Sequence, residues 1–251
     1  MQRNHAFTLV GLSTVIVCIG LIAGAVLIAQ GMLRDLELRS VTKDYSTFKA
    51  AIFIFKDQYK ALPGDMGEAT TFFNGVHNGD NNNILDSKES YQLWTHLSMA
   101  ELIEGEYTGA SGPDHPDWDA VIGSNVPASK IDGVGFSAIP LVYDTGDFGL
   151  PAISGKLAGS LDDRINQILM GTKEGVRWTG GAFLTPTELW NIDSKIDDGK
   201  PGTGAVVAAS YPDCIESGDQ FTAASPTAAY NRNLDEITCS IIFMPEGTGL
   251  E

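Results

Sequence analysis

The residues from Asn78 to Glu89 follow the spacing of a twelve-residue calcium-binding loop. In such a loop, side-chain oxygens at positions one, three, five, nine and twelve and a backbone carbonyl at position seven surround the ion. Oxygen is the ligand atom that Ca²⁺ prefers in proteins. The residues at those positions, which we predict as calcium ligands, are Asn78, Asp80, Asn82, Ile84 through its carbonyl, Asp86 and Glu89.

The sixth position of this loop holds Asn83 where glycine is standard. Asparagine is the non-glycine residue that best tolerates the left-handed backbone conformation required there. The charged ligands are Asp80, Asp86 and Glu89, so we expect weak binding, with a dissociation constant of about 0.1–1 mM. A second interpretation needs no ion: the segment is a solvated turn, and Asp86 and Glu89 form a capping box for the next helix.

Two predicted helices flank the loop and would position its ends. The first ends at Pro63-Gly64, because proline cannot continue a helix. The second runs from Ser87 to Glu104 and carries Trp94 on its buried side. The first helix is amphipathic, with apolar residues spaced alternately four and three apart, and therefore needs a partner surface. Those apolar residues are Val41, Tyr45, Phe48, Ile52, Phe55 and Tyr59.

Three apolar, partly β-branched runs predict strands at Val134–Tyr143, Ala205–Ser210 and Thr238–Met244. A short helix is predicted from Thr185 to Asp197, because its Thr-Pro-Thr-Glu start combines an N-cap, a first-turn proline and a capping glutamate. Residues 105–133 are rich in Gly, Pro and Asp and predict an irregular loop. These elements would form a loop-rich head.

A long uncharged apolar stretch, residues 7–29, follows a short polar leader, residues 1–6. A helix of this length reaches about 35 Å, enough to cross a bilayer core of about 30 Å. The leader carries Arg3 and no acid, so we expect it to stay cytoplasmic while the remaining chain is exported. The stretch is compatible with a secretory signal cleaved near Leu27-Ile28-Ala29 or with a permanent single-pass anchor.

A third interpretation rests on a resemblance to the processing site of type IV prepilins and the related pseudopilins. The similarity is carried by the basic leader, the small residue Ala6, and Phe7-Thr8-Leu9-Val10 at the start of the apolar run. In that family, prepilin peptidase cleaves before the phenylalanine, and the new amino terminus is N-methylated. The resemblance therefore implies Ala6 and Phe7 as processing residues. It also implies assembly through Phe7, Leu9, Val10, Gly11, Leu12 and Gly20, the last at a glycine position common in the family.

The chain departs from the family pattern at Ala6, where the family most often has Gly, which is a tolerated variation, and more seriously at Gly11. Four residues after the cleaved phenylalanine the family usually has glutamate, whereas this chain has Gly11. That glutamate would pair with the amino terminus of a neighbouring subunit inside the helix bundle, a buried charge that is tolerated because it is compensated. Gly11 cannot make this contact. The cleavage prediction is unaffected, but the usual docking contact would have to be supplied otherwise or be missing.

The resemblance implies an α+β fold, in which a long N-terminal α-helical stalk packs on a small antiparallel β-sheet head with large loop insertions. It predicts a leader (1–6), a transmembrane and filament-core segment (7–29), an amphipathic helix (30–62) and an acidic globular head (63–251). The implied function is a structural subunit of an extracellular type IV pilus-like filament of identical copies, held in the bacterial inner membrane before assembly. Two alternatives stay open: a pseudopilin of a type II secretion system in the periplasm, and a membrane-tethered binding module that never polymerises.

The charge of the chain is unevenly distributed. Residues 1–60 carry a net charge of +3 and the remaining residues carry -19, which together give the total of -16. Such a surface repels nucleic-acid backbones, so we expect no nucleic acid as a partner of the head. It favours solubility and the binding of cations.

The cysteines are also divided between the apolar run and the exported part of the chain. Cys18 lies within the apolar run and is expected to pack as a small hydrophobic residue. Cys214 and Cys239 lie in the exported part, where an oxidising compartment favours one disulfide between them. Such a bridge is also similar to the carboxyl-terminal disulfide-bounded loop of many type IV pilins.

Catalytic motifs are largely absent from the sequence. It contains no Gly-x-Ser-x-Gly elbow, no His-Glu-x-x-His pair and no phosphate-cradling loop, so we predict that the chain is not an enzyme. His115, Asp117 and Asp119 could bind a metal, but a solvated loop is favoured because no second histidine lies at ligand spacing. The Asp-rich segment 193–198 could hold a second cation, but a helix C-terminus followed by a solvated turn is favoured.

Overall fold

A computed structural model of the chain describes residues 9–86, 88–142, 164–173, 175, 178–209, 213–216 and 228–244. The chain divides into two compact units, Met1–Arg39 and Ser40–Glu251. The predicted leader and the processing residues Ala6 and Phe7 lie outside the described residues. The four predicted regions of the chain therefore stay a prediction.

Helix α1 extends over Leu9–Tyr59. Within the first unit, all of its described side chains from residue 11 to residue 39 are exposed or half-buried. The helix ends at Tyr59 because Lys60 adopts the left-handed conformation, with φ 55°, and Pro63 follows shortly after. This end lies just before the predicted one.

In the second unit, the amphipathic pattern of α1 is confirmed. Of its predicted apolar face, Val41, Tyr45, Phe48, Ile52 and Phe55 are buried, and Tyr59 is half-buried. This face is the side of the helix that packs on the sheet, as the ring contacts described next show, and Phe48 also meets Trp94 edge-on at 5.0 Å.

A four-stranded antiparallel sheet forms the partner surface. Its strands are β1 (Val134–Val142), β2 (Arg164–Thr172), β3 (Val206–Ala209) and β4 (Ser240–Phe243), in the order β1-β2-β4-β3. The Tyr45 ring stacks on Phe243 of β4 with centroids 4.8 Å apart. The Phe48 ring meets Phe136 of β1 edge-on at 4.9 Å. The predicted α+β fold, a long N-terminal helix with a small antiparallel sheet, is confirmed.

The strand predictions were right at β1, β3 and β4, although Tyr143 and Ser210 at their predicted ends lie outside the described residues. No strand was predicted from the sequence at the position of β2. This strand mixes Arg164, Asn166 and Gln167 with its apolar residues, so it shows neither a continuous apolar run nor a clean alternation. It nevertheless pairs with both β1 and β4.

The other helices are α2 (Ala69–Phe72), α3 (Glu89–Met99) and α4 (Pro186–Ile196). The predicted capping box of α4 is present, because Thr185 and Glu188 bond each other's backbone N–H groups. Helix α3 is shorter than predicted. Leu102 N–H bonds Leu97 O and Glu101 N–H bonds Ser98 O, a Schellman motif that closes the helix.

The predicted disulfide joins Cys214 to Cys239, with Cα atoms 5.2 Å apart. Cys239 immediately precedes β4 and also pairs with Leu184 just before α4. The bridge therefore ties the segment around Cys214 to the start of β4. In the chain-entropy model, closing a loop of 25 residues stabilises the fold by about 3.5 kcal/mol.

Candidate functional site

The loop between α2 and α3 lies against the turn that follows α1. Gly79 N–H bonds Met66 O at 2.9 Å, and Asn81 N–H bonds Asp65 O at 3.1 Å. Gly79 packs so closely on the Asp65 backbone that a Cβ there would overlap it. Glycine at position 79 is therefore required for this contact.

The carboxylate of Asp65 organises the loop. Its Oδ1 accepts the N–H of Asn81 at 2.6 Å and of Asn82 at 3.3 Å, and its Oδ2 accepts the N–H of Asn83 at 2.6 Å. Asn81 and Asn83 have φ of 61° and 66°, so Asn83 adopts the left-handed conformation expected at position six. With its side chain buried, Asp65 acts as an internal template for the loop backbone.

Three carboxylates converge at this point. Asp65, Asp80 and Glu89 each present one oxygen within 4.8 Å of the others. Glu89 accepts the backbone N–H of Asp80 at 3.1 Å and of Asp86 at 3.0 Å. Burial raises the pKa of Glu89 to about 7. Burial also raises the pKa of Asp65, although the three backbone donors oppose the shift.

This donor set fits a hard cation. Carboxylate oxygens are the ligands that Ca²⁺ and Mg²⁺ prefer, and like charges at this spacing are costly unless a proton or a cation compensates them. The structure therefore brings together three carboxylates from two different parts of the chain, a donor set of the kind that hard cations prefer.

Of the six predicted ligands, the cluster contains two, Asp80 and Glu89. The side chains of two other polar candidates accept backbone N–H groups of α2 and of the loop. Asn78 Oδ1 accepts Thr70 N–H at 2.9 Å, and Asn82 Oδ1 accepts Ile84 N–H at 2.7 Å. The carbonyl of Ile84, the predicted ligand at position seven, stays a prediction.

Asp86 caps the following helix, as the second interpretation of the loop expected. Its Oδ1 accepts Glu89 N–H at 3.0 Å, and Glu89 returns a bond to Asp86 N–H at 3.0 Å. Capping and clustering coexist, because Glu89 uses one oxygen for Asp86 and the other for Asp80.

Two residues of this site were not predicted from the sequence. Asp65 directly follows the turn at Pro63-Gly64. An acidic residue at that place was the one feature in the sequence that could have drawn attention to it as a ligand. Asn166, on the unpredicted strand β2, accepts Leu85 N–H and donates to Asn83 O, both at 2.8 Å. It anchors the loop to the sheet, and no local pattern could have revealed a contact across 81 residues.

The other two groups considered as metal ligands have structural partners. Asp119 is buried and forms an ion pair with Lys173, while His115 stacks on Trp118. Asp198 accepts the N–H of Lys200 at 2.9 Å, as expected for the turn after a helix. Asp193, Asp197 and Asp198 also lie close together, and the two oxygens of Asp193 accept the Tyr230 O–H and the Gly199 N–H.

The other candidate site is the apolar part of α1. Among the described residues, one helix, Gly11–Tyr59, is long and apolar enough to cross a membrane, and its most apolar stretch is unburied. Leu12 is exposed, and a Cβ on Gly20 would meet no atom within 4 Å. Gly11 O accepts the Thr14 hydroxyl at 2.9 Å. Leu9 and Val10 lie in the helix, but their side chains are outside the described residues.

Comparison of the chain with protein-family models, with curated proteins and with solved structures gave no match.

Proposed function

We propose that the chain is a structural subunit of a type IV pilus-like filament, assembled through the apolar part of its N-terminal helix. The observation that carries the proposal is the exposure of that helix on all sides. Large apolar side chains such as Leu21 and Leu27 are 71 % and 70 % exposed. A contiguous apolar surface of this kind requires a membrane or a protein partner.

A filament subunit gives the apolar helix a membrane first and protein partners afterwards. The apolar helix holds the precursor in the membrane, and after cleavage before Phe7 the helices of neighbouring copies hide one another from water. The amphipathic remainder of α1 then keeps its own contacts with the sheet through Tyr45 and Phe48. The acidic head would form the filament surface, and the Cys214–Cys239 bridge would stiffen it.

A tethered module that never polymerises is the second candidate function, and Gly11 favours it. Without an acid at that position, the resemblance offers no docking contact for the amino terminus of the next copy. The α+β fold and the acidic head are compatible with either function, and also with a pseudopilin.

Calcium is the cation that the proposal assigns to Asp65, Asp80 and Glu89. All three offer carboxylate oxygens, and each carboxylate accepts at least one backbone N–H of the loop. When bound, the ion would supply positive charge that offsets the mutual repulsion of the carboxylates. The protein itself contributes the templating of the loop by Asp65.

Mass spectrometry of the mature amino terminus tests the filament proposal. N-methylated Phe7 is the expected result, whereas an intact Met1 would overturn cleavage and assembly together. Cleavage near Ala29 would indicate simple secretion. Electron microscopy of cells expressing the full chain then separates a pilus from a pseudopilus, because long surface filaments built of this chain are expected only for the pilus.

A further inference from the structure

A groove of about 1090 Å³ lies in the second unit between α1 and the carboxyl end of α4. Phe53 lies in it and is 72 % exposed, an unusual position for a large aromatic side chain. The helical spacing places Lys49 and Lys56 on the same face of α1, on either side of Phe53. Lys195 and Ile196 contribute from α4.

The groove is basic in an acidic chain. Its lining contains four lysines and one aspartate, whereas residues 61–251 carry a net charge of -19. One of the lysines, Lys60, bonds Asp57 at 2.9 Å, and Lys49 lies over the Tyr45 ring. An occupant that complements this lining combines an apolar side chain with neighbouring carboxylates.

The chain itself presents such a segment. Asp235, Glu236 and Ile237 are consecutive and exposed, and Ile237 is 61 % exposed although it is large and apolar. The segment is held in place, because Thr238 N–H bonds Leu184 O at 3.0 Å and the disulfide partner Cys239 follows directly. It therefore offers a preformed acidic and apolar surface.

The segment and the groove lie at opposite ends of α4. Thr238 bonds Leu184, just before the helix begins at Pro186, whereas the groove is lined by Lys195 and Ile196 at its end. Ten residues of helix separate these ends by about 15 Å. A copy therefore cannot place its own segment in its own groove, but it can place it in the groove of the next copy.

We infer that the groove between α1 and α4 binds the Asp235–Ile237 segment of a second copy of this chain. A contact between two different surfaces of the same chain can repeat head to tail from copy to copy, as a filament requires. The inference rests on the proposed filament function and specifies one contact between neighbouring subunits. Carboxylates would face Lys49 and Lys56, and Ile237 would pack on Phe53.

Photo-crosslinking in the full-length chain tests this contact. With p-benzoylphenylalanine in place of Phe53, irradiation of assembled material is expected to join position 53 to the peptide containing Ile237 of another copy. The same probe in place of Phe72, an exposed aromatic outside the groove, is the matched control and is not expected to reach that peptide. Adducts from position 53 to a different segment, to another protein or to lipid would overturn the inference.

Charge reversal provides an independent test. Lys49→Glu combined with Lys56→Glu is expected to lower the yield of the adduct about tenfold, since like charges then face each other. Adding Asp235→Lys and Glu236→Lys is expected to restore it. Lys43→Glu with Lys200→Glu makes the same change in net charge on exposed residues outside the groove and should leave the yield unchanged. Failure of the restoring pair to recover the adduct would count against the assigned segment.

The two proposals can fail separately. If wild-type filaments form but position 53 gives no adduct with Ile237, the groove contact is overturned and the filament function stands. If the mature amino terminus is an intact Met1 and no filaments form, the filament function is overturned. The adduct pattern in membranes then decides the groove contact by itself.

Discussion

The hydroxyl of Tyr230 donates a 2.7 Å hydrogen bond to Oδ2 of Asp193, and both side chains are buried. Tyr230 lies in the loop closed by Cys214 and Cys239, whereas Asp193 lies on α4. The other oxygen of Asp193 accepts Gly199 N–H at 3.2 Å. Burial raises the pKa of Asp193 to about 7, because the ionised carboxylate loses more hydration than these two donors replace.

Asp193→Asn should stabilise the protein at neutral and alkaline pH. Between 3.8 and about 7 the folded chain binds more protons at Asp193 than the unfolded chain does, so its contribution to stability falls as the pH rises through that window. The amide oxygen can accept the Gly199 N–H while the amide NH2 donates to the Tyr230 oxygen, and the side chain carries no charge beside Asp197 and Asp198. We expect a gain in the free energy of unfolding of up to about 4 kcal/mol at about pH 8, and little change near pH 4, by urea titration.

Tyr230→Phe is the matched control for this prediction. It removes the donor that favours the ionised carboxylate of Asp193, so it should lower stability above about pH 7 by about 1–3 kcal/mol. An Asp193→Asn variant that is less stable than the wild type at alkaline pH would contradict the argument.

His96 should contribute a pH dependence of the opposite sign. Its ring lies stacked beside Phe55 and Phe73, and Nδ1 accepts Gly64 N–H at 2.9 Å. Burial lowers the pKa of His96 from 6.5 to about 4. The unfolded chain therefore binds more protons in this window, so stability is complete above pH 6.5 and is lost as the pH falls towards 4.

His96→Asn keeps an acceptor near the position of Nδ1 and removes the titration. We expect the variant to be less stable than the wild type at about pH 7, where the ring packing is lost, but to lose up to about 3 kcal/mol less on acidification. Urea titrations at several pH values measure this as the difference between the two profiles. Parallel profiles for the variant and the wild type would show that His96 does not control the loss of stability at acidic pH.

Calcium should raise the melting temperature of the wild-type chain, and a chelator should reverse the effect. With a dissociation constant of about 0.1–1 mM, 10 mM CaCl₂ would stabilise the folded state by about 1–3 kcal/mol. Asp80→Asn should abolish the response because it removes a carboxylate of the cluster. Glu101→Gln, an exposed acid outside the cluster, should keep it. A wild-type melting curve that is identical in calcium and chelator would remove the site.

Local patterns in the sequence predicted the elements whose signals are complete within a few residues. The spacing of Val41, Tyr45 and Phe48 gave the buried face of α1, and Thr185 with Glu188 gave the start of α4. Both depend on neighbouring residues alone. The predicted end of α3 was too late, because Glu101 takes the left-handed conformation, with φ 58°, at a position where glycine would have been the usual signal.

The candidate metal site could be predicted only in part, because its geometry depends on contacts distant in sequence. Asp80 and Glu89 belong to one loop, and their spacing drew attention to it. Asp65 comes from the turn after α1, and it takes three backbone donors from the loop. Asn166 comes from β2. A spacing rule fixes positions within a segment but cannot choose a residue from another segment that occupies the same place.

Gly11→Glu should increase the number of filaments if the chain assembles as proposed. Placed at that position, the carboxylate would pair with the methylated amino terminus of Phe7 on a neighbouring copy, so both charges are compensated within the helix bundle. In a chain that only anchors, the same carboxylate would have no partner and would cost about 3 kcal/mol in the membrane. Gly11→Gln adds a side chain of similar size without the charge and should give no gain. Filaments sheared from cells and measured by immunoblot provide the comparison. A lower yield for Gly11→Glu than for Gly11→Gln would contradict the docking argument, and an absence of filaments from the wild type and both variants would favour the tethered module.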